Sequence, residues 1–443
     1  MGLLLKNGRV IDPSQGLDAE RDVLLEDGRV ARIERGLVAG AHEVIDCADR
    51  VVCPGFIDLH VHLRDPGQEY KETIATGTRA AAAGGFTHVG CMPNTDPPID
   101  DPSVVHLIQE RARRACGVKV HVYGALSKAN EGRELSELGR LADAGVTLFS
   151  DDAFPIQNSQ LMRRAMEYAR MLHRGVTLHC EDKALSADGV MNEGEVATLL
   201  GLRGVPHAAE DVHVARNIEL CRLTGCRLHI CHVATAGTVA LVRRAKAEGL
   251  PVTAEADPHH FCLTDEACLG YNTNAKVNPP LRTAHDVAAV QEGLADDTLD
   301  CIATDHAPHA SHEKECEFDR ALFGLVGLET AVSLTLDKLV RAGILTLLQA
   351  VERLATNPAR VLTGDGRRLP PEVDPLLGTL QPGAPADVTI LDLDRPVRVE
   401  AERLYSKGKN TPFLGWEMIG APAVTIAGGR VLMRDGRIAG DEG

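Results

Sequence analysis

Residues 56–62 read FIDLHVH, an apolar run that ends on two histidines separated by one valine. Pro54 and Gly55 precede it, and Asp65, Pro66 and Gly67 follow shortly after. A short run framed in this way reads as a buried strand. Seven more runs of the same kind follow: HVGCMP (88–93), VKVHVYG (118–124), VTLFSD (146–151), VTLHCE (176–181), RLHICHV (227–233), PVTAEA (251–256) and DCIATDH (300–306). Between them lie TIATGTRAAAA (73–83), SVVHLIQERARRA (103–115), SQLMRRAMEYARMLH (159–173) and TVALVRRAKAEG (238–249), with apolar residues three and four apart. That is the spacing of one helix face. Parallel strands need such crossovers between them. The alternation therefore predicts an α/β fold, a TIM-type (β/α)8 barrel. Further helices are expected around 329–340 and on to residue 362.

The two ends follow a different grammar. LLLKNGRVID (3–12) and DVLLEDGRVARIE (22–34) are short strands, and Asp27-Gly28 is a hairpin signal. ADVTILDLD (386–394) and AVTIAGGRVLMRDGRIAG (423–440) repeat the pattern at the far end. Neither end has enough strands to bury a face alone. Together they predict a small composite β-sandwich domain, with residues 1–53 and 366–443 enclosing a barrel at 54–365.

The 443-residue length suits a barrel plus a modest second domain. Hydrophobic content is 44% and charged content 25%, ordinary for a globular chain, while aromatics are only 3%. The core must therefore be built from Val, Leu, Ala and Ile. A formal net charge of −16 argues against nucleic acid or an anionic membrane as partner, since both need a basic face. A small anionic substrate is still compatible. The twelve cysteines form no CxxC pair and read as reduced thiols of a cytoplasmic protein, with a core reading for Cys47, Cys53 and Cys91. MGLLLKNGRV reads as a strand rather than a signal peptide, and no apolar stretch is of membrane-spanning length.

The polar residues of the runs fall at their carboxyl ends: His60 and His62 on the first, Asp152 on the fourth, His179 on the fifth, His232 on the sixth and Asp305 on the eighth. In a barrel those ends share one rim, so residues distant in sequence meet in one pocket. Four imidazoles and two carboxylates suit zinc or a similar ion, in number enough for two. Asp152 can bridge; Asp151 is its rival, because strand alternation sends only one of the two inward. Asp305 can bind an ion and also take a proton from a bridging water. Arg64, Asn94 and His309 are suited to clamp a carboxylate. A salt bridge to Asp65 is the other use open to Arg64. His121, His173, His229, His259 and His260 read as structural or surface residues, the last two also as supports of the site. The loop APHASHEKECEF (307–318) can be a lid or an ordinary exposed connection.

The strings HVHLRDPGQEYKET, GGFTHVGCMPNTDPP, HCED, NPPLR, IATDHAPH and FGLVGLET closely resemble the type I bacterial dihydroorotases of the amidohydrolase superfamily, over nearly the whole chain. The resemblance implies reversible interconversion of (S)-dihydroorotate and N-carbamoyl-L-aspartate in pyrimidine biosynthesis. It makes His60 and His62 ligands of one zinc and His179 and His232 ligands of a second. Asp152 and a water or hydroxide bridge the two ions, and Asp305 is both ligand and acid–base group. Implied substrate contacts are His62, Arg64, Asn94, Asn278, His309, Phe323 and Gly324. A homodimer or a complex with aspartate transcarbamoylase is also implied. FSDDA stands where the family has FTDDG, and HVATAGT where it has a serine–threonine version; neither removes a ligand. Hydantoinases, dihydropyrimidinases and allantoinases share the fold but bridge their metals with a carboxylated lysine, and VTLFSDD has none. The competing expectations are a hydantoinase- or allantoinase-like cyclic amidase, and a non-catalytic subunit supporting aspartate transcarbamoylase.

Overall fold

A computed structural model describes residues 2–371 and 373–440. Its central feature is a closed ring of eight strands: β1 (Phe56–Val61), β2 (Phe86–Cys91), β3 in two pieces (Lys119–Val122 and Gly124–Ala125), β4 (Phe149–Ser150), β5 (Val176–Leu178), β6 (Leu228–Ile230), β7 (Val252–Ala256) and β8 (Cys301–Ile302). Each pairs in parallel with its successor. Past the end of β8, His306 bridges in parallel to Val61, and its carbonyl accepts from the His62 N–H at 2.8 Å. The (β/α)8 barrel expected from the alternation is the one observed.

The helical spacings fold as helices because their apolar stripes meet the outer faces of the strands. Ile74–Ala83 buries Ile74 and Ala80–Ala82, and Thr73 caps it by accepting from the Thr76 N–H at 3.1 Å. Pro102–Arg113, Ser159–Met171 and Ala236–Ala247 follow the same pattern. After β8 the chain continues through helical segments between Ala331 and Thr363, two of them π-helical turns. Among the described residues, no helix is long and apolar enough to cross a membrane.

Both ends of the chain enter one nine-stranded sheet. Its joint is Val51–Pro54, which runs antiparallel to Val388–Arg398 with Cys53 opposite Thr389. Leu5, Val23, Val52, Val388, Ile390, Val424 and Ile426 form its buried cluster. The expected hairpin is present: Asp27 (φ 49°) and Gly28 (φ 72°) turn between Glu26 and Arg29, both in the left-handed region that a two-residue primed turn requires. Asp387 fastens this domain to the barrel, accepting from His88 Nε2 at 2.9 Å, Lys119 Nζ at 3.1 Å and the Gly428 N–H at 2.7 Å. Cys47, Cys53 and Cys91 are buried free thiols, in keeping with a packing role; burial pushes Cys47 and Cys91 up to about 12.

Asp12 ties the two chain ends together. Its buried Oδ2 accepts from Thr379 Oγ1 at 2.8 Å and from the Leu380 N–H at 2.7 Å. Asp12→Ala would strand those donors without water. The expected loss is about 2–3 kcal/mol, read as a lower urea midpoint; an unchanged midpoint would show that this tie does not hold the domain.

Candidate metal centre and substrate pocket

His60 lies in β1 and His62 one residue past its end; two positions apart on one extended run, both rings leave the same face. Glu255, inside β7, accepts from His60 Nδ1 at 2.9 Å and, with its other oxygen, from His229 Nε2 at 2.9 Å. Asn94 Oδ1 accepts from His62 Nδ1 at 2.8 Å. Each histidine thereby turns its Nε2 toward the barrel axis. There His60 Nε2 lies 3.5 Å from Asp152 Oδ2 and 3.4 Å from Asp305 Oδ1. His62 Nε2 lies 3.4 Å from Asp152 Oδ2 and 2.9 Å from Asp305 Oδ1.

On the far side of Asp152, His232 Nε2 is 3.7 Å from Oδ1 and 2.9 Å from His179 Nδ1. Glu181 Oε2 accepts from His179 Nε2 at 2.9 Å. One oxygen of Asp152 thus faces His60 and His62 while the other faces His232. Asp151 turns away and accepts from the Ser127 N–H at 3.0 Å and from its hydroxyl. The choice between the two aspartates, open on spacing, is made by this pairing.

These residues fit divalent ions. His60 Nε2 and Asp152 Oδ1, which face the centre, are buried without a hydrogen-bond partner. Ligand bonds of about 2.1 Å put neighbouring donors of a tetrahedral ion roughly 3.4 Å apart. Separations of 3.4 and 3.5 Å between imidazole nitrogens and carboxylate oxygens match that edge. His60–His62–Asp305 and Asp152–His179–His232 each bring their donor atoms within 4.8 Å of one another. Burial opposes the charge on Asp152 and Asp305, yet the surrounding imidazoles hold both carboxyls below the usual carboxylate range. Arg64 (φ 60°), His232 (φ 34°) and Asp305 (φ 45°) all adopt left-handed backbone. Such strain is concentrated where a site is built.

Above the centre, Arg64, Asn94, Asn278, His309, Phe323 and Gly324 line one cavity with His62, Asp152, His179, His232 and Asp305. Arg64 makes no salt bridge to Asp65, which pairs instead with Arg111 and accepts from the Ile74 N–H at 3.0 Å. Among the described residues no carboxylate lies within 4.0 Å of the Arg64 guanidinium, which donates through Nε to the Pro308 carbonyl at 3.2 Å. A buried cation facing a cavity without a carboxylate partner suits an anionic ligand. His309 donates through Nε2 to the Phe323 carbonyl at 2.8 Å, and burial beside Arg64 and Lys71 pushes it down to about 3, so it is neutral. Gly324 (φ 131°) leaves room for this ring: a Cβ there would stand 3.1 Å from His309 Nε2 and 2.7 Å from Ala307 Cβ. The Gly324 carbonyl is taken up by Lys314 Nζ and Asn410 Nδ2, each at 3.0 Å. Asn278 Nδ2 donates to Glu181 Oε2 at 2.9 Å. The loop 307–318 packs against this wall: Lys314 is buried on backbone carbonyls, and Glu313 meets Lys71 at 3.1 Å.

The described geometry has counterparts in known proteins. The Dihydro-orotase-like family model matches residues 49–238. A protein named dihydroorotase from Pelotomaculum thermopropionicum is 55% identical over 439 residues, covering 98% of this chain and 99% of that one. One from Geobacter metallireducens is 51% identical over 435 residues, covering 98% and 100%. The chain belongs to the dihydroorotase family. Among solved structures, the L-hydantoinase (dihydropyrimidinase) from Arthrobacter aurescens superposes with a TM-score of 0.87 at 27% identity, covering 99% of this chain and 97% of that one. A D-hydantoinase superposes at 0.84 with 23% identity and coverage of 99% and 96%, a likeness of fold.

Hydroxyls remain at work beside both departures from the dihydroorotase pattern, while Ala153, where the family has glycine, adopts left-handed backbone (φ 67°). Ser150 Oγ accepts from the Asp152 N–H at 3.0 Å, and Thr235 Oγ1 accepts from the Thr238 N–H at 3.0 Å. The five histidines set apart from the site fall out differently. His121 is buried against His88 at 2.9 Å, and His173 meets Asp365 at 3.2 Å. His229 steadies Glu255, while His259 and His260 are buried near the centre. Glu181 and Glu255 were missed by the reading of strand ends. Their signal was available: a glutamate inside or closing a buried apolar run must have a partner. Carboxylates that hold metal-ligating imidazoles raise metal affinity by about 10- to 100-fold. Glu181→Gln is therefore expected to weaken divalent-ion binding by that factor in a chelator competition; unchanged affinity would exclude this role.

Proposed function

We propose that the chain is a zinc-dependent dihydroorotase, opening the ring of dihydroorotate to N-carbamoyl-aspartate and closing it again. The observation that carries this is a single cavity whose floor holds His62, His179, His232, Asp152 and Asp305, with His60 buried beside them, and whose wall holds a buried arginine that meets no carboxylate. His60, His62, Asp152, His179, His232 and Asp305 would hold two zinc ions. Ions so held polarise an amide carbonyl and acidify water.

The chain's own residues supply the rest. Arg64, Asn94 and His309 bind the ring carboxylate, with Asn278 and the Phe323–Gly324 segment completing the wall. His309, being neutral, has one N–H to offer, which would turn from the Phe323 carbonyl to the carboxylate, a hydrogen bond rather than a charge. Asp305 Oδ1 accepts a proton from the attacking water and returns it to the departing ring nitrogen. In the reverse direction it removes a proton from the carbamoyl nitrogen. Ring closure consumes a proton overall, so acid favours dihydroorotate. A carboxylate with a lowered pKa stays ionised over the neutral range, the state in which it can accept a proton. The proposed place of action is the cytoplasm. A homodimer and a complex with aspartate transcarbamoylase are proposed on the family resemblance, and light scattering of the chain alone and with that enzyme reads both.

Purified chain should hydrolyse dihydroorotate with at least one zinc ion bound, measured on one sample; zinc without turnover would refute the proposal for the chain acting alone. Asp305→Asn should lose about 10²–10⁴-fold in both directions, and near-full activity either way would exclude the proton route. Arg64→Met removes a charged hydrogen bond worth about 1.5–3 kcal/mol, or roughly 10- to 150-fold in kcat/KM. A hydantoinase-like reaction on an uncharged ring would leave that variant unaffected.

A further inference from the structure

β7 runs into Asp257, and the next turn carries His259 and His260 in the string ADPHH. Asp257 stands at the start of the short helical turn Pro258–Cys262, where an aspartate ordinarily accepts from the turn's N–H groups. Its side chain makes no such bond; its backbone carbonyl takes the His260 N–H instead, at 2.9 Å. The carboxylate faces His259, with Oδ2 3.5 Å from Nε2. The His259 and His260 rings lie against each other, centroids 4.2 Å apart.

All three side chains are at most 3% exposed. Both oxygens of Asp257, both ring nitrogens of His259 and Nδ1 of His260 have no hydrogen-bond partner. His260 Nε2 is used, donating to the Pro279 carbonyl at 3.0 Å. Buried polar atoms left this way are unfavourable unless something between them satisfies them. Each side chain offers one donor atom, and the three lie within 4.8 Å of one another. The 3.5 Å between Asp257 and His259 is too long for a hydrogen bond and close to the roughly 3.4 Å edge of a tetrahedral ion's ligand shell. The only ion-pair partner of Asp257 among the described residues is His259. Burial first, then the charges of Asp305 and Glu255, push its carboxyl up, so ionising it calls for a neighbouring cation.

We propose that Asp257, His259 and His260 form a further divalent-cation site, suited to zinc or a similar borderline ion by its one carboxylate and two imidazoles. None of the three residues lines the cavity above the strand-end centre, and none belongs to its two donor groups. The ion neutralises Asp257 and braces the end of β7, two residues beyond the Glu255 that orients His60. The site does not depend on which reaction the pocket performs.

The test is an anomalous-scattering experiment on crystals of the full chain loaded with zinc, with data on both sides of the zinc absorption edge. The expected result is a peak bounded by Asp257, His259 and His260, distinct from any at His60–Asp305. Density there without anomalous signal is a water, and it would overturn the proposal, as would the absence of density. Elemental analysis of Asp257→Asn should show one zinc fewer per chain than the parent, and an unchanged count would also refute the site. Should that variant not fold, the map on the unaltered chain decides alone. Because the peaks are resolved in space, failure here is distinguishable from failure of the strand-end centre.

Discussion

The seam between β1 and β8 is the constraint on which the site depends. Asp58, buried within β1, accepts from Thr304 Oγ1 at 2.6 Å, and the His62 N–H reaches the His306 carbonyl at 2.8 Å. These bonds close the ring of strands and bring the first and last runs of the barrel side by side. Only then do His60 and His62 face Asp305, more than two hundred residues away in the chain. An open sheet of the same strands would leave these groups at opposite edges.

Around that seam, charge is managed by pairing. Carboxylates and imidazoles buried together are costly unless each group's direction is set by a hydrogen bond. Glu255 and Glu181 set the His60 and His179 rings, and Asn94 sets His62. Each leaves one nitrogen facing inward, which is what an ion-binding cluster requires. The orienting groups come from β7 and from the segments after β5 and β2, so the geometry rests on several strands at once rather than on one flexible loop.

The pocket wall has a different logic. Arg64 is held in place by a backbone carbonyl instead of a carboxylate, which leaves its charge for a ligand. The neighbouring acids are already spent: Asp65 on Arg111, and Glu313 on Lys71 and Tyr70. Lys314, buried on three carbonyls, fixes the Phe323–Gly324 segment beside His309. Lys71 and Lys183, which also line the pocket, are paired with Glu313 and Glu181, so Arg64 is the cation there without a carboxylate partner among the described residues.

The sequence by itself determined the barrel, the composite β domain and the strand-end positions of the six candidate ligands. Those features are written in local periodicity: alternation along strands, three-and-four spacing along helices, and polar residues at carboxyl ends. Even the Asp27-Gly28 turn could be read, because its backbone conformation selects its residues. What only the tertiary structure decided were relations between distant segments. Asp152 rather than Asp151 faces the imidazoles because Ser127, on another loop, takes up Asp151. Arg64 is free of Asp65 because a helix brings Arg111 to that acid. Glu181, Glu255 and the Asp257–His259–His260 cluster acquire meaning only through the groups that folding brings around them. A one-dimensional pattern records which face a side chain leaves by. It does not record what meets it there, since that partner arrives from elsewhere in the chain and only folding brings it near.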